Sequence, residues 1–165
     1  MKEIKKVKEY NATPNEVFAY LDDLGATGMH MTKSSMPMMG GKLTLDFLSD
    51  NHSGLHSKYR WTGKVLGFPL DFTVTVTKWS LNEEKIWETV GETKLIIYSW
   101  FRMHLKIKPV HNVTQAELSL SYKKPKSVFN RILSYFLADW YCRWCLKNML
   151  DDTQRSIEIH SSISG

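Results

Sequence analysis

The feature that most restricts this chain is a change of period. From about Lys42 to Tyr122 apolar residues recur at close to every second position, and from about Lys126 to Ile157 at every third and fourth. The first pattern is that of strands with one buried face, the second that of an amphipathic helix. Pro125 stands at the switch and sets up the helix start. One long helix after an uninterrupted antiparallel run has an obvious place to lie, across the concave face of the sheet. The expected fold class is therefore α+β, a curved antiparallel sheet of six or seven strands around a long C-terminal helix. A sheet that grips a helix leaves a hollow between the two, and function is expected there.

The single elements follow from the same logic. Lys2 to Tyr10 alternates loosely, with Ile4, Val7 and Tyr10 as its apolar members, and reads as a first strand. Thr13-Pro14-Asn15-Glu16 is a helix start, in which Thr13 caps, Pro14 fits the first turn and Glu16 completes a capping box. Val17, Phe18, Tyr20, Leu21 and Leu24 follow at helical spacing, and Gly25 stops the element. Gly28 to Gly41 holds five of the eight methionines and reads as a second short helix with a loop, so two short helices follow the first strand.

Strands are then expected at Leu43-Leu45-Phe47, at Tyr59-Trp61-Gly63 and at Leu70-Phe72-Val74-Val76. The last of these is opposed by Asp71-Thr73-Thr75-Thr77, the clearest alternation in the chain. A turn from Trp79 to Glu84 leads to Ile86–Val90, then to Ile97-Ser99-Phe101-Met103-Leu105-Ile107 and Ala116-Leu118-Leu120-Tyr122. The closing helix carries two apolar stripes. One is Phe129, Leu133, Phe136, Trp140 and Trp144; the other is Cys142, Leu146, Met149, Leu150 and Ile157. With no repeat and no low-complexity tract, residues 1–165 read as one domain.

Composition narrows the function. A chain of 165 residues can bury a real core without disulfides or metal. The N-terminus MKEIKKVKEY has lysines but no apolar stretch behind them, so the expected compartment is the cytoplasm. Two cysteines, Cys142 and Cys145, suit reduced thiols there. The net charge of +5 is spread over strands and termini instead of one basic tract. That favours a solvated basic surface over a nucleic-acid footprint and leaves room for a weak attraction to anionic lipid headgroups.

Three stretches resemble one known family. Asn11-Ala-Thr-Pro-Asn-Glu-Val-Phe-Ala-Tyr-Leu-Asp-Asp is similar to its helix start. Val74-Thr-Val-Thr-Lys-Trp-Ser-Leu-Asn-Glu-Glu-Lys-Ile-Trp resembles its strand, tryptophan turn and next strand. Leu105-Lys-Ile-Lys-Pro followed by Thr114-Gln-Ala-Glu-Leu-Ser-Leu-Ser-Tyr resembles its final strand pair. The family is the START/polyketide-cyclase (SRPBCC) superfamily, the helix-grip group that includes the birch-pollen-allergen proteins. The resemblance implies a hydrophobic pocket and no particular substrate, because members differ widely in ligand and activity.

The chemistry-bearing residues agree with a binding role. Six tryptophans, seven tyrosines and seven phenylalanines exceed the needs of a core this size, and large rings suit flat or greasy ligands. The expected ligand-binding residues are Trp61, Phe72, Val74, Trp87, Phe101, Met103 and Leu118 on the sheet and Phe136, Trp140 and Trp144 on the helix. Cys142 and Cys145 have redox spacing but fall mid-helix, where no helix N-terminus lowers a thiol pKa. His52 and His56 flank a Gly54 turn, so no metal site is expected, and no triad, phosphate loop or cofactor motif is visible. The expected function is binding of a hydrophobic small molecule (a lipid, isoprenoid, quinone or polyketide-like compound) between sheet and helix, with no cofactor. The alternatives are a cyclase or hydratase using the same pocket, and a protein-interaction module. Oligomeric state stays open.

Overall fold

The structure, a computed structural model, describes residues 1–24, 41–65 and 67–165. Strand β1 (Lys2–Tyr10) leads into helix α1 (Pro14–Asp22). Six strands follow: β2 (Lys42–Phe47), β3 (Lys58–Val65), β4 (Phe68–Ser80), β5 (Glu84–Lys94), β6 (Trp100–Val110) and β7 (Val113–Lys123). Helix α2 (Val128–Ser164) closes the chain. The strands form one seven-stranded sheet in the order β1-β7-β6-β5-β4-β3-β2, and every neighbouring pair is antiparallel. Consecutive strands are neighbours from β2 to β7, and β1 joins from the far end of the chain. The second short helix expected between Gly28 and Gly41 lies outside the described residues.

Local chemistry explains the element ends. At α1 the Thr13 backbone N–H donates to Glu16 Oε2 at 2.8 Å and the Glu16 N–H donates back to Thr13 Oγ1 at 3.3 Å, the expected capping box. Val17, Phe18 and Leu21 of α1 are fully covered. Burying a side chain of that size is worth about 1.5–3 kcal/mol. In β4 the register shifts between Asp71 and Thr73 and again between Val76 and Lys78, irregularities that bend the strand. The second carries β4 on to Ser80, so Trp79, expected in a turn, ends the strand. At Gly63 (φ +152°) a Cβ would fall 2.2 Å from the Lys42 carbonyl oxygen, so only glycine lets β2 come this close.

Two sequence expectations are corrected. Val7 points to solvent, because Ile4 and Tyr10 share one parity of β1 and a residue three positions on cannot. On α2 the second stripe is the buried one: Cys142, Leu146, Met149, Leu150 and Ile157 are covered, together with Ser134, Ala138, Cys145 and Thr153. Phe129, Phe136 and Trp140 of the first stripe project outward. Small Ser134 and Ala138 let the first half of α2 approach the sheet, and the large rings occupy its other sides. Tyr10 donates to the Leu150 carbonyl at 2.8 Å, Lys8 pairs with Asp151 at 2.7 Å, and Lys2 pairs with Asp139. The helix is thereby tied along the β1 edge of the sheet.

Candidate functional site

Cross-strand register assembles the inner face row by row. One row runs Val76–Trp87–Met103–Leu120–Ile4, and all five are buried. A second runs Trp79–Lys85–Leu105–Leu118–Lys6. Toward β2 the pairs Trp61–Phe72 and Tyr59–Val74 continue the surface. Six sheet residues singled out from sequence, Trp61, Phe72, Val74, Trp87, Met103 and Leu118, are therefore buried on one face. Phe101 shares that face but stays partly open, set edge-on to Phe72 at 5.6 Å and 6.5 Å from Tyr98. Leu45, Leu70, Ile97, Tyr141 and Trp144 also pack on the core without being fully covered. These partly covered apolar groups adjoin the closed core. Trp144, stacked at a tilt on Tyr141 at 5.5 Å, is the one predicted helix residue brought to it. Phe136 and Trp140 are not; they are 70% and 51% exposed.

The inner face also carries polar groups that sequence reasoning missed. Lys85 is buried, with its Nζ 2.6 Å from Asp22 Oδ1 and donating to the Asp22 carbonyl at 3.1 Å. Trp79 Nε1 donates to the other Asp22 oxygen at 3.2 Å. This cluster fastens the C-terminal end of α1 to β4 and β5, and Phe18 packs edge-on to Trp79 at 5.8 Å. Burial pulls the Lys85 ammonium below its usual range, against the pull of Asp22 and Asp23. Beside this cluster the buried Tyr59 hydroxyl has no hydrogen-bond partner among the described residues.

At the other end, Tyr98 lies 2.9 Å from Cys142 Sγ and donates to the Ala138 carbonyl at 3.3 Å. Tyr122 donates to Asp139 at 2.6 Å. Burial pushes the Cys142 thiol up to about 11, so it is a poor nucleophile at neutral pH. The only sequence hint to Lys85 was its parity with Trp87. Tyr98 was expected on the outward side of a strand beginning at Ile97; the strand begins only at Trp100, and Tyr98, ahead of it, turns inward and is buried.

The convex face is a lattice of exposed pairs. Arg60 pairs with Asp71, Arg102 with Glu88, and His104 with Glu84 at 2.6 Å. Arg60 and Glu88 therefore face away from the inner side of the sheet. Among the described residues no three His, Cys, Asp or Glu side chains come together as metal ligands. None of the described helices is long and apolar enough to cross a membrane.

No protein-family model matches the chain, and no curated protein sequence does. Solved structures do. TTHA0849 from Thermus thermophilus superposes with a TM-score of 0.72 at 14% identity, covering 97% of this chain and 99% of that one. The Zhui aromatase/cyclase from Streptomyces sp. R1128 gives 0.68 at 10% identity, covering 94% and 95%. A START superfamily protein from Mycobacterium smegmatis gives 0.63 at 13% identity, covering 94% and 97%. At these identities the likeness is one of fold. The chain has the helix-grip α+β fold of the START/polyketide-cyclase group.

Proposed function

We propose that this protein binds a hydrophobic small molecule in the hollow between the inner sheet face and α2. The observation that carries this is the partly open aromatic wall, with Phe101 set against Phe72 and Tyr98 and with Trp144 and Tyr141 opposite a closed core. Such a surface attracts a ligand through apolar contact and ring packing. The unpartnered Tyr59 hydroxyl offers one polar contact, which favours a ligand that is mostly apolar and carries a single hydrogen-bonding group, a lipid or a polyketide-like ring. The ligand-contacting residues in this reading are Trp61, Phe72, Val74, Trp87, Phe101, Met103, Leu118 and Trp144.

Titration of a fluorescent apolar probe tests the proposal. The probe should saturate, and Phe101→Ala should weaken it about tenfold, equivalent to about 1.4 kcal/mol. Trp140→Ala, on the outer side of α2, should leave the affinity unchanged. Equal affinity in a folded Phe101→Ala variant would place the ligand elsewhere. The Streptomyces aromatase/cyclase likeness keeps a catalytic reading in view. It rests here on Tyr59, a buried hydroxyl beside a buried acid–base pair, and predicts turnover that Tyr59→Phe removes while probe binding survives.

A further inference from the structure

The first half of α2 presents an apolar face to solvent. Val128, Phe129, Ile132, Tyr135, Phe136 and Trp140 recur at three- and four-residue steps, and each is more than half exposed. Scattered exposed apolar residues need no explanation, but six on one side of one helix do. Around them the charge has a single sign. Lys124, Lys126 and Arg131 lie within or next to the patch, and positions 123 to 138 contain no carboxylate. The first carboxylate beyond, Asp139, is occupied by Lys2 and Tyr122. Lys124 sits over the Tyr135 ring at 5.6 Å, so a cation borders the rings of the patch. Lys124, Arg131, Val128, Ile132, Tyr135 and Phe136 together outline an open groove of about 380 Å³ with an apolar floor.

We infer that this face docks the protein on the surface of an anionic lipid bilayer, with the phenylalanine and tryptophan rings among the headgroups and the lysines and arginine on lipid phosphates. The charge decides the occupant. A second copy would bring the same three cations against their own kind, which opposes self-association. An anionic bilayer offers negative charge at the rim and an apolar layer a few ångströms beneath, the combination this helix face matches. Tyrosine and tryptophan also favour that boundary, where a ring is half wet. The inference is independent of the ligand in the hollow, since it rests on the opposite side of α2.

The test uses the full chain with a single added cysteine. Cys142 and Cys145 are buried, so a new surface thiol can be labelled selectively in the native protein. An environment-sensitive fluorophore at Ile132→Cys should shift to the blue with phosphatidylserine-containing vesicles and stay unchanged with pure phosphatidylcholine. The same label at Leu81→Cys, exposed in the β4–β5 turn, should not respond. In co-flotation the unlabelled protein should travel with the anionic vesicles at low salt and separate at high salt. A Phe129→Ser/Phe136→Ser variant and a Lys124→Glu/Arg131→Glu variant, both altered only at exposed positions, should each lose about tenfold or more in vesicle affinity. The inference is overturned by failure to float with anionic vesicles, by equal binding to neutral ones, or by an unchanged affinity in both variants. A dimer in solution that dissolves in the Phe129→Ser/Phe136→Ser variant would overturn it equally, by showing the face already covered.

Discussion

Lys85 shares the inner side of β5 with Trp87 and Thr89, where a lone ammonium would be strongly disfavoured. Its charge is matched by Asp22, and the Asp22 carboxylate receives Trp79 as well. Removing one partner leaves the other charge buried without compensation, a loss of about 3–5 kcal/mol in comparable pairs. Lys85→Met should therefore lower the urea unfolding free energy by about that amount, and adding Asp22→Asn should restore part of it. A single variant as stable as the parent would show that α1 is held by Phe18 and Leu21 alone.

Among the elements, α1 is where local sequence has the clearest thermodynamic consequence. Its capping box ties two backbone N–H groups that the helix cannot satisfy itself. Thr13→Ala should cost about 1 kcal/mol in chemical denaturation, and an unchanged midpoint would mean that packing alone fixes this end. The box was legible because it is written in four adjacent residues. The strands from β3 to β7 were legible for a similar reason: alternation such as Leu70-Phe72-Val74-Val76 declares its buried face. The phase of α2 was not. Both of its stripes are apolar, and the choice between them depends on how closely Ser134 and Ala138 let the helix approach β1 and β7. That is a property of the partner surface, absent from the helix itself. The inner-face residues of the candidate site on β3, β4, β6 and β7 were readable from parity, whereas Trp87 was not, because its neighbour Ile86 is apolar too. Lys85 and Asp22 were not, because only the fold makes a lysine on β5 and an aspartate on α1 neighbours.

For the molecule as a whole, the contacts between β1 and α2 contribute to its dependence on pH. Hydrogen bonds from Lys147 and Lys8, stronger than the opposing burial, hold the Asp151 carboxyl at about 2, against an ordinary 3.8. A carboxyl depressed by folding stabilises the native state above its unfolded pKa and loses that contribution as pH falls toward the folded value. Asp151→Asn should therefore cost about 1 kcal/mol at neutral pH and flatten the fall in stability between about pH 4 and pH 2. An acid limb identical to the parent's would assign that sensitivity to Asp139, Glu84 or Asp71, which are also held low by their partners. The position of β1 has a further consequence, for how the chain is made. Its hydrogen-bonding partner is β7, with Ile4 opposite Leu120, so β1 leaves a ribosome before β2 to β6 and yet waits for β7. The sheet from β2 to β7 can zip up hairpin by hairpin during synthesis, while closure of the β1 edge and docking of α2 wait for the later part of the chain, as slow long-range steps. Lys2, Lys5, Lys6 and Lys8 along β1 keep the waiting strand from pairing with a neighbouring nascent chain.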